Sequence, residues 1–143
     1  MITTRPYRQG DGALINVAEP DPWPDWLQEM EQDTRGLTSY LRDGQLVAVT
    51  GYQPLWDGVA WGFALVDRQA VKGAGLELAG AVRRVIAELM ARDGLHRVQA
   101  CCDPADPPTK VFLRATGYRY ESTMKKASHN GGDLLMMAIT TGD

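Results

Sequence analysis

Hydrophobic and polar positions follow a helical period over residues 75–93. Leu78, Val82 and Leu89 recur at helical spacing, so their side chains fall on one face. Charged side chains fill the opposite face, and Gly94 follows the last turn, where a left-handed residue commonly ends a helix. The pattern predicts one long amphipathic helix that packs its apolar face against a sheet.

Seven other segments predict β-strands, because apolar residues alternate with polar ones or because β-branched and aromatic residues predominate. These segments are residues 2–7, 38–41, 45–52, 59–66, 96–102, 118–124 and 134–140. Asp43-Gly44 and Asn130-Gly131 are tight-turn sequences, so each predicts an antiparallel hairpin between the strands that flank it. Pro6 confines the first strand to an edge of the sheet or to a strand end.

Three shorter helical segments are predicted at residues 13–18, 25–33 and 106–116. The third begins with Asp106-Pro107, which has the form of an N-cap followed by proline at the first helical position. The first two are separated by an irregular loop, since no helix can run through Pro20, Pro22 and Pro24.

The segment 59–66 is predicted to be an interior strand, because both of its faces are apolar. One face carries the small residues Ala60, Gly62 and Ala64, so a helix or a ligand can approach that backbone closely. The long helix then crosses to the strand at 96–102, which we expect to be its parallel neighbour. The fold class predicted is α/β, with a mixed, mostly antiparallel central sheet and a long crossover helix.

Composition narrows the class of protein. The chain has 143 residues, of which 44% are hydrophobic and 23% charged, which predicts a single domain over residues 1–143. The net charge of −3 argues against a nucleic-acid partner. No apolar stretch approaches the roughly 20 residues that a membrane span needs, and no secretory signal opens the chain, so we expect a cytoplasmic protein without a membrane partner.

The two cysteines are adjacent, at Cys101 and Cys102, and no second pair accompanies them. Neighbouring cysteines rarely form a disulfide, and a zinc cluster needs more ligands than two. We expect both to be small apolar strand residues, and we predict no metal site.

The candidate chemistry lies between the interior strand and the long helix, at Lys72-Gly73-Ala74-Gly75. Glycines there let backbone N–H groups turn outward, and the helix dipole adds partial positive charge, which suits a pyrophosphate. A purely structural turn is the alternative, since many strand-to-helix turns contain glycine. The sequence is not a P-loop, because the Gly-Lys-Ser/Thr ending is missing.

With this element order, residues 59–118 resemble the GNAT acyltransferases, which bind acetyl-CoA. The family's Arg/Gln-x-x-Gly-x-Gly/Ala motif corresponds to the run from Ala70 to Gly75. Its second hallmark, an asparagine, a short helix and a closing Gly-Phe, corresponds to Asp106 and to Gly117-Tyr118. The order of helices and strands agrees with the family over nearly the whole chain. The amino acids themselves agree with the family's motifs at only about a dozen positions.

The resemblance implies transfer of an acetyl group from acetyl-CoA to a primary amine of a small molecule or peptide. The strand backbone at Leu65 and Val66 would pair with the pantetheine arm. The pyrophosphate would be held by the amides of Lys72, Gly73, Ala74, Gly75 and Leu76. Near the exit of the arm would lie Asp106 and Lys110. A homodimer formed through the final hairpin is compatible with the resemblance.

The acceptor side is less defined by the sequence. Trp23 and Trp26 lie in or beside the proline-rich loop, where they either line an acceptor groove or cover the core. The catalytic residues stay unassigned. Glu29 is the one acidic candidate for a general base in that region, and a solvated surface carboxylate is the alternative interpretation.

Two positions depart from the family pattern. Ala70 replaces the arginine or glutamine of the pyrophosphate loop, and Leu113 stands where many members have a tyrosine general acid, which leucine cannot replace. Residues 81–89 and 111–117 also resemble GNAT-like proteins encoded by tailed phages. The alternative hypothesis is therefore a catalytically inactive GNAT-like protein of a phage virion or another complex, with virion proteins as its partners.

Overall fold

The computed structural model describes residues 1–17 and 26–141, with the side chains of Trp26 and Leu27 excepted. The predicted loop of prolines and Trp23 lie outside the described residues. Within these ranges, no helix has the length and apolarity that a bilayer crossing requires. The elements are β1 (Ile2–Pro6), a 3-10 helix (Asp11–Leu14), α1 (Trp26–Met30), β2 (Thr38–Arg42), β3 (Gln45–Trp56), β4 (Val59–Val66), α2 (Gly75–Asp93), β5 (Arg97–Cys102), α3 (Pro107–Ala115), β6 (Arg119–Met124) and β7 (Leu134–Thr140).

The described strands form one seven-stranded sheet in the order β1-β2-β3-β4-β5-β7-β6. β4 and β5 are parallel, and every other neighbouring pair is antiparallel. The mixed, mostly antiparallel sheet predicted from the sequence is thus confirmed, as are the parallel neighbours on either side of α2. β1 is an edge strand, as Pro6 requires.

α2 has the bounds that the hydrophobic pattern predicts. Its apolar face packs on the sheet, with Leu78 fully buried and Val82 and Met90 nearly so. Gly94 has a φ of 64° and its N–H donates to the Met90 carbonyl, so the left-handed cap is also present. The helix is therefore a rigid element whose N-terminus is carried to one end of the sheet.

Two predictions near the N-terminus were wrong in their bounds. The helix expected at 13–18 is a 3-10 turn over Asp11–Leu14, and the one expected at 25–33 spans Trp26–Met30. The turn begins at Asp11 because its carboxylate binds several donors there. It accepts from Arg5 at 2.6 Å, from the Arg8 amide at 2.9 Å and from Ser39 Oγ at 2.7 Å.

β3 also extends farther than expected, to Trp56 instead of position 52. The backbone groups of β3 point alternately toward β2 and toward β4, and the nitrogen of Pro54 points to the β2 side. β2 does not reach that far, because its pairing with β3 stops at Thr50. The missing proline N–H therefore costs no ladder hydrogen bond, and the strand continues.

Candidate functional site

β4 and β5 are paired at one end only, which leaves a cleft between them. Val59, Ala60 and Trp61 pair with the first three residues of β5, and no pairing continues beyond Trp61. Both strands run on, to Val66 and to Cys102. The cleft therefore has a closed end near Trp61 and an open end where the two strands terminate.

The backbone of β4 presents alternate residues to this cleft. The Asp67 amide donates to the Val47 carbonyl of β3 at 2.9 Å, which makes the odd-numbered residues of β4 the ones directed at β3. The residues directed at β5 beyond the last pair are Gly62, Ala64 and Val66. An extended ligand in the cleft would meet their N–H and C=O groups as it would meet an added strand.

This alternation separates two residues that the resemblance had taken together. Val66 has its backbone on the cleft side, in keeping with the expectation. Leu65 stands opposite Val49 in the β3–β4 ladder, so its backbone is directed away from the cleft. An added strand in the cleft would therefore not pair with Leu65, because a strand offers only every second residue to one neighbour. Ala64, which the resemblance did not supply, takes its place.

The turn at residues 72–76, which we call the cradle, lies at the same end of the sheet as the open end of the cleft and is contacted by β1 and β2. Two of its amides are used internally: Lys72 N–H donates to the Gln69 carbonyl at 3.3 Å, and Ala74 N–H donates to the Val71 carbonyl at 2.8 Å. These two amides already have partners within the turn, although the resemblance had included both residues among those that would hold the pyrophosphate.

The other amides of the cradle are open. The N–H groups of Gly73, Gly75 and Leu76 have no hydrogen-bond partner within the described part of the chain, and all three residues are exposed. Gly73 has a φ of 83°, and no atom lies within 4 Å of where a Cβ would stand on Gly73 or Gly75. Since Ala74 at the N-cap has no side-chain acceptor, the first turn of α2 keeps its partial positive charge for an external anion.

Hydrogen bonds to β1 and β2 hold the cradle in place. Arg42 on β2 donates from Nη1 to the Ala70 carbonyl at 3.0 Å and to the Lys72 carbonyl at 2.7 Å. Glu77, in the first turn of α2, accepts from the Ile2 amide at 3.1 Å and is thereby turned toward β1. The carbonyl oxygens of Ala70 and Lys72 and the carboxylate of Glu77 would repel an anion, but all three accept hydrogen bonds from other parts of the chain. The Lys72 side chain is exposed.

Tyr118 marks the closed end of the cleft, and sequence reasoning missed it. A Cβ on Gly62 would collide with the Tyr118 hydroxyl oxygen and would lie 2.9 Å from Val98 Cγ1. Tyr118 is 5% exposed, and its hydroxyl has no hydrogen-bond partner among the described residues. The small residues on one face of β4 indicated that another group packs closely there. They did not reveal that this group is the side chain of Tyr118.

Burial raises the pKa of the Tyr118 phenol well above its usual value of 10.0, and the nearby Tyr40 raises it further. The phenol is therefore neutral at physiological pH, so it can donate a hydrogen bond but is too weak an acid to give up its proton readily. Beside it lies a cavity of about 30 Å³, room for about one or two water molecules. The cavity is lined in part by Thr50, Ala64 and Leu113.

The other predicted positions are less informative. Leu113 stands where many family members have a tyrosine, and its side chain is buried in the hydrophobic core. Glu29 is exposed on α1. Trp26 begins α1, and nothing is described of its side chain, while Trp23 lies outside the described residues.

Asp106 and Lys110 lie on the β5 side of the cleft, at the beginning of α3. Asp106 occupies the N-cap position that the sequence predicted, and the well-formed hydrogen bonds of its carboxylate come from the side chains of Arg68 and Thr109. Lys110 is half-buried, and its Nζ lies 6.0 Å from the centroid of the Tyr120 ring, at the limit of a cation–π contact. The structure therefore brings Val66, the cradle and Asp106 to one end of the sheet.

Comparison with known proteins identifies relatives in shape alone. No model of a known protein family and no curated protein matches the sequence. Ard1 from Thermoplasma volcanium matches with a TM-score of 0.81 at 12% identity, over 99% of each chain. The ribosomal-protein-S18-alanine N-acetyltransferase from Escherichia coli matches at 0.75 and 19% identity, over 100% of this chain and 96% of that one. A GNAT-family acetyltransferase from Bacillus anthracis matches at 0.75 and 15% identity, over 97% and 94%.

At identities this low, a shared backbone establishes the fold and not the chemistry. The matches extend over nearly the full length of both chains, so the likeness concerns the whole fold and not one part of it.

Proposed function

Because the chain has the fold of the GNAT acetyltransferases, we propose that it transfers an acetyl group from acetyl-CoA to a primary amine. The acceptor is the amine of a small molecule or a peptide. The observation that carries the proposal is that the unpaired cleft edge of β4 and the exposed amides of Gly73, Gly75 and Leu76 lie at the same end of the sheet. A ligand with an extended amide-containing arm and a pyrophosphate matches these two sets of groups.

The cradle would bind the pyrophosphate through main-chain donors. Three free N–H groups lie at the N-terminus of a 19-residue helix, where the helix dipole favours an anion. Lys72 adds a full positive charge beside them. Ala70 removes one side-chain contact that the family motif supplies, but the backbone contacts do not depend on that side chain.

The β4 edge would bind and orient the pantetheine arm. Val66 and Ala64 present N–H and C=O groups at a spacing of two residues, which suits the amides of an extended chain. The thioester would then lie toward the closed end of the cleft, near Gly62. Holding the thioester and the amine in line accounts for much of the rate that such a transfer requires.

The transfer forms a C–N bond and breaks the C–S bond of the thioester. The amine nitrogen attacks the thioester carbonyl carbon, and the negative charge that develops on oxygen is stabilised by a β4 amide directed into the cleft. The amine proton passes to solvent, since β4 carries no carboxylate to accept it. The departing thiolate takes a proton from solvent, and the neutral Tyr118 phenol beside Gly62 would donate a hydrogen bond to the sulfur as its negative charge develops.

The test is isothermal calorimetry of the full chain with acetyl-CoA, followed by turnover measurements with a panel of primary amines. We expect binding in the micromolar to low millimolar range and release of free CoA thiol with at least one amine. Absence of heat at millimolar acetyl-CoA would remove the proposal.

A second candidate is a protein of this fold that has no catalytic activity and serves within a larger complex, a phage virion among them. The observation that favours it is the pair of departures at Ala70 and Leu113, since Leu113 is a core residue with no role in proton transfer. Such a protein would release no CoA thiol with any amine. Turnover with one amine would rule this candidate out.

A further inference from the structure

An ion pair joins the two sides of the cleft at its open end. Arg68 follows the last residue of β4 by two positions, and Asp106 directly precedes α3 on the β5 side. Arg68 Nη2 lies 2.7 Å from Asp106 Oδ2. Because parallel strands end at the same edge of a sheet, this contact spans the opening between the ends of β4 and β5.

Thr109 turns the ion pair into a closed set of three contacts. Arg68 Nη2 also donates to Thr109 Oγ1 at 2.9 Å, and the Thr109 hydroxyl donates to Asp106 Oδ2 at 2.7 Å. Each member thus contacts the other two. We call Arg68, Asp106 and Thr109 the strap.

Asp106 contributes to the strap and caps its own helix only weakly. Aspartate at an N-cap ordinarily accepts a hydrogen bond from a backbone amide of the first turn; the Thr109 amide lies close enough to lower the pKa of Asp106, but no well-formed hydrogen bond joins the two groups. Burial alone would raise the pKa of this carboxyl group, but the hydrogen bonds from Thr109 and Arg68 outweigh it and lower the pKa below 3.8. The carboxylate is therefore charged at neutral pH and directed across the cleft.

We propose that the strap closes the open end of the cleft in the free protein and that it must open before an acyl-CoA can lie between β4 and β5. The inference rests on the proposed function, because the ligand it excludes is the pantetheine arm. An arm that runs from the cradle to Val66 and onward along β4 passes between Arg68 and Asp106. The strap is thus a gate that lowers the apparent affinity for the ligand by the fraction of molecules in which it is closed.

The strap is a weak gate, and its effect is of measurable size. The side chain of Arg68 is 51% exposed and that of Asp106 is 33% exposed, so the pair is partly screened by water. Exposed ion pairs of this kind shift an equilibrium by about two- to fivefold. Removing either partner should therefore tighten acetyl-CoA binding by about two- to fivefold.

The decisive experiment compares Asp106→Asn with Arg68→Gln in calorimetry with acetyl-CoA at fixed ionic strength. The two variants change the net charge in opposite directions. If only the attraction of the anionic ligand mattered, Asp106→Asn would bind more tightly and Arg68→Gln more weakly. The strap predicts that both bind more tightly, and that the double variant gains no more than either single one.

Asp103→Asn is the matched control, because Asp103 is an exposed acidic residue of the same β5–α3 connection and takes no part in the strap. We expect it to leave the affinity unchanged. Weaker or unchanged binding in Arg68→Gln would overturn the gate while leaving the proposed function intact, provided that the wild-type protein binds acetyl-CoA. If no variant and no wild-type protein binds, the proposed function fails, and the gate with it.

Discussion

The hydroxyl oxygen of Tyr118 fills the space that a side chain at Gly62 would occupy. This contact joins the first turn after α3 to the interior strand at the point where β4 leaves β5. It explains why the small face of β4 has glycine at this position, since even a methyl group would meet both Tyr118 and Val98.

Gly62→Ala should therefore destabilise the protein. The added Cβ forces the Tyr118 ring and Val98 to move within a packed core, and such overpacking costs about 1–3 kcal/mol. Urea unfolding measures the change. Gly80→Ala is the control, because Gly80 is exposed on α2 with open space around it, and alanine there should stabilise by about 0.5–1 kcal/mol. Equal stability of wild type and Gly62→Ala would contradict the packing described here.

Tyr118→Phe separates a structural role from a chemical one. The hydroxyl makes no hydrogen bond to described residues, so its removal should change the free energy of unfolding by less than about 0.5 kcal/mol. If the phenol stabilises the departing thiolate by a hydrogen bond, kcat should fall by about 100-fold while the KM for acetyl-CoA changes little.

The comparison is Tyr40→Phe. The Tyr40 hydroxyl is buried and lies 2.7 Å from Thr50 Oγ1. Its loss leaves the threonine unpaired and should destabilise by about 1–3 kcal/mol. An unchanged kcat in Tyr118→Phe would leave Tyr118 as a packing residue only.

Gly73→Glu should abolish binding of acetyl-CoA. The substitution places a negative charge among the open amides of the cradle, where the ligand's pyrophosphate is proposed to bind. Gly131→Glu is matched to it, because both glycines are exposed, have a φ near 85° and are free of neighbours within 4 Å. Both variants carry the same charge and similar backbone strain, so binding that is lost equally in the two would show that the effect is not local to the cradle.

Acid should weaken the anchor of the N-terminal segment. Burial alone would raise the pKa of Asp11, but hydrogen bonds from Arg5, the Arg8 amide and Ser39 outweigh it and lower the pKa from 3.8 to about 2. The folded-state pKa lies below the unfolded one, so the carboxylate stabilises the protein above pH 4 and this contribution of about 2 kcal/mol is lost as the pH falls from about 4 to 2.

Unfolding of wild type and Asp11→Asn over this pH range checks the prediction. The two curves should converge as the pH approaches 2 and differ most at neutral pH. Asp33 is the control, because it also pairs with an arginine but does so on the surface. We expect Asp33→Asn to follow the wild-type curve, and a wild-type advantage over Asp11→Asn that persists at pH 2 would disprove the assignment.

Local patterns were sufficient wherever neighbours along the chain decide the structure. The bounds of α2 follow from its hydrophobic stripe and from Gly94, and those of β4 from its two apolar faces. The cradle was located for the same reason, since its glycines directly precede the helix. The extent of β3 was not predictable, because whether Pro54 ends the strand depends on where β2 stops.

The sequence by itself determined the strands, the long helix and the turn between them, because periodicity and turn chemistry act over a few residues. Only the tertiary structure decided which amides of that turn are free, which side of β4 faces the cleft, and which groups meet across it. Those outcomes depend on contacts between residues far apart in the chain, such as Tyr118 with Gly62 and Arg68 with Asp106. No pattern along one segment encodes the partner that folding brings to it.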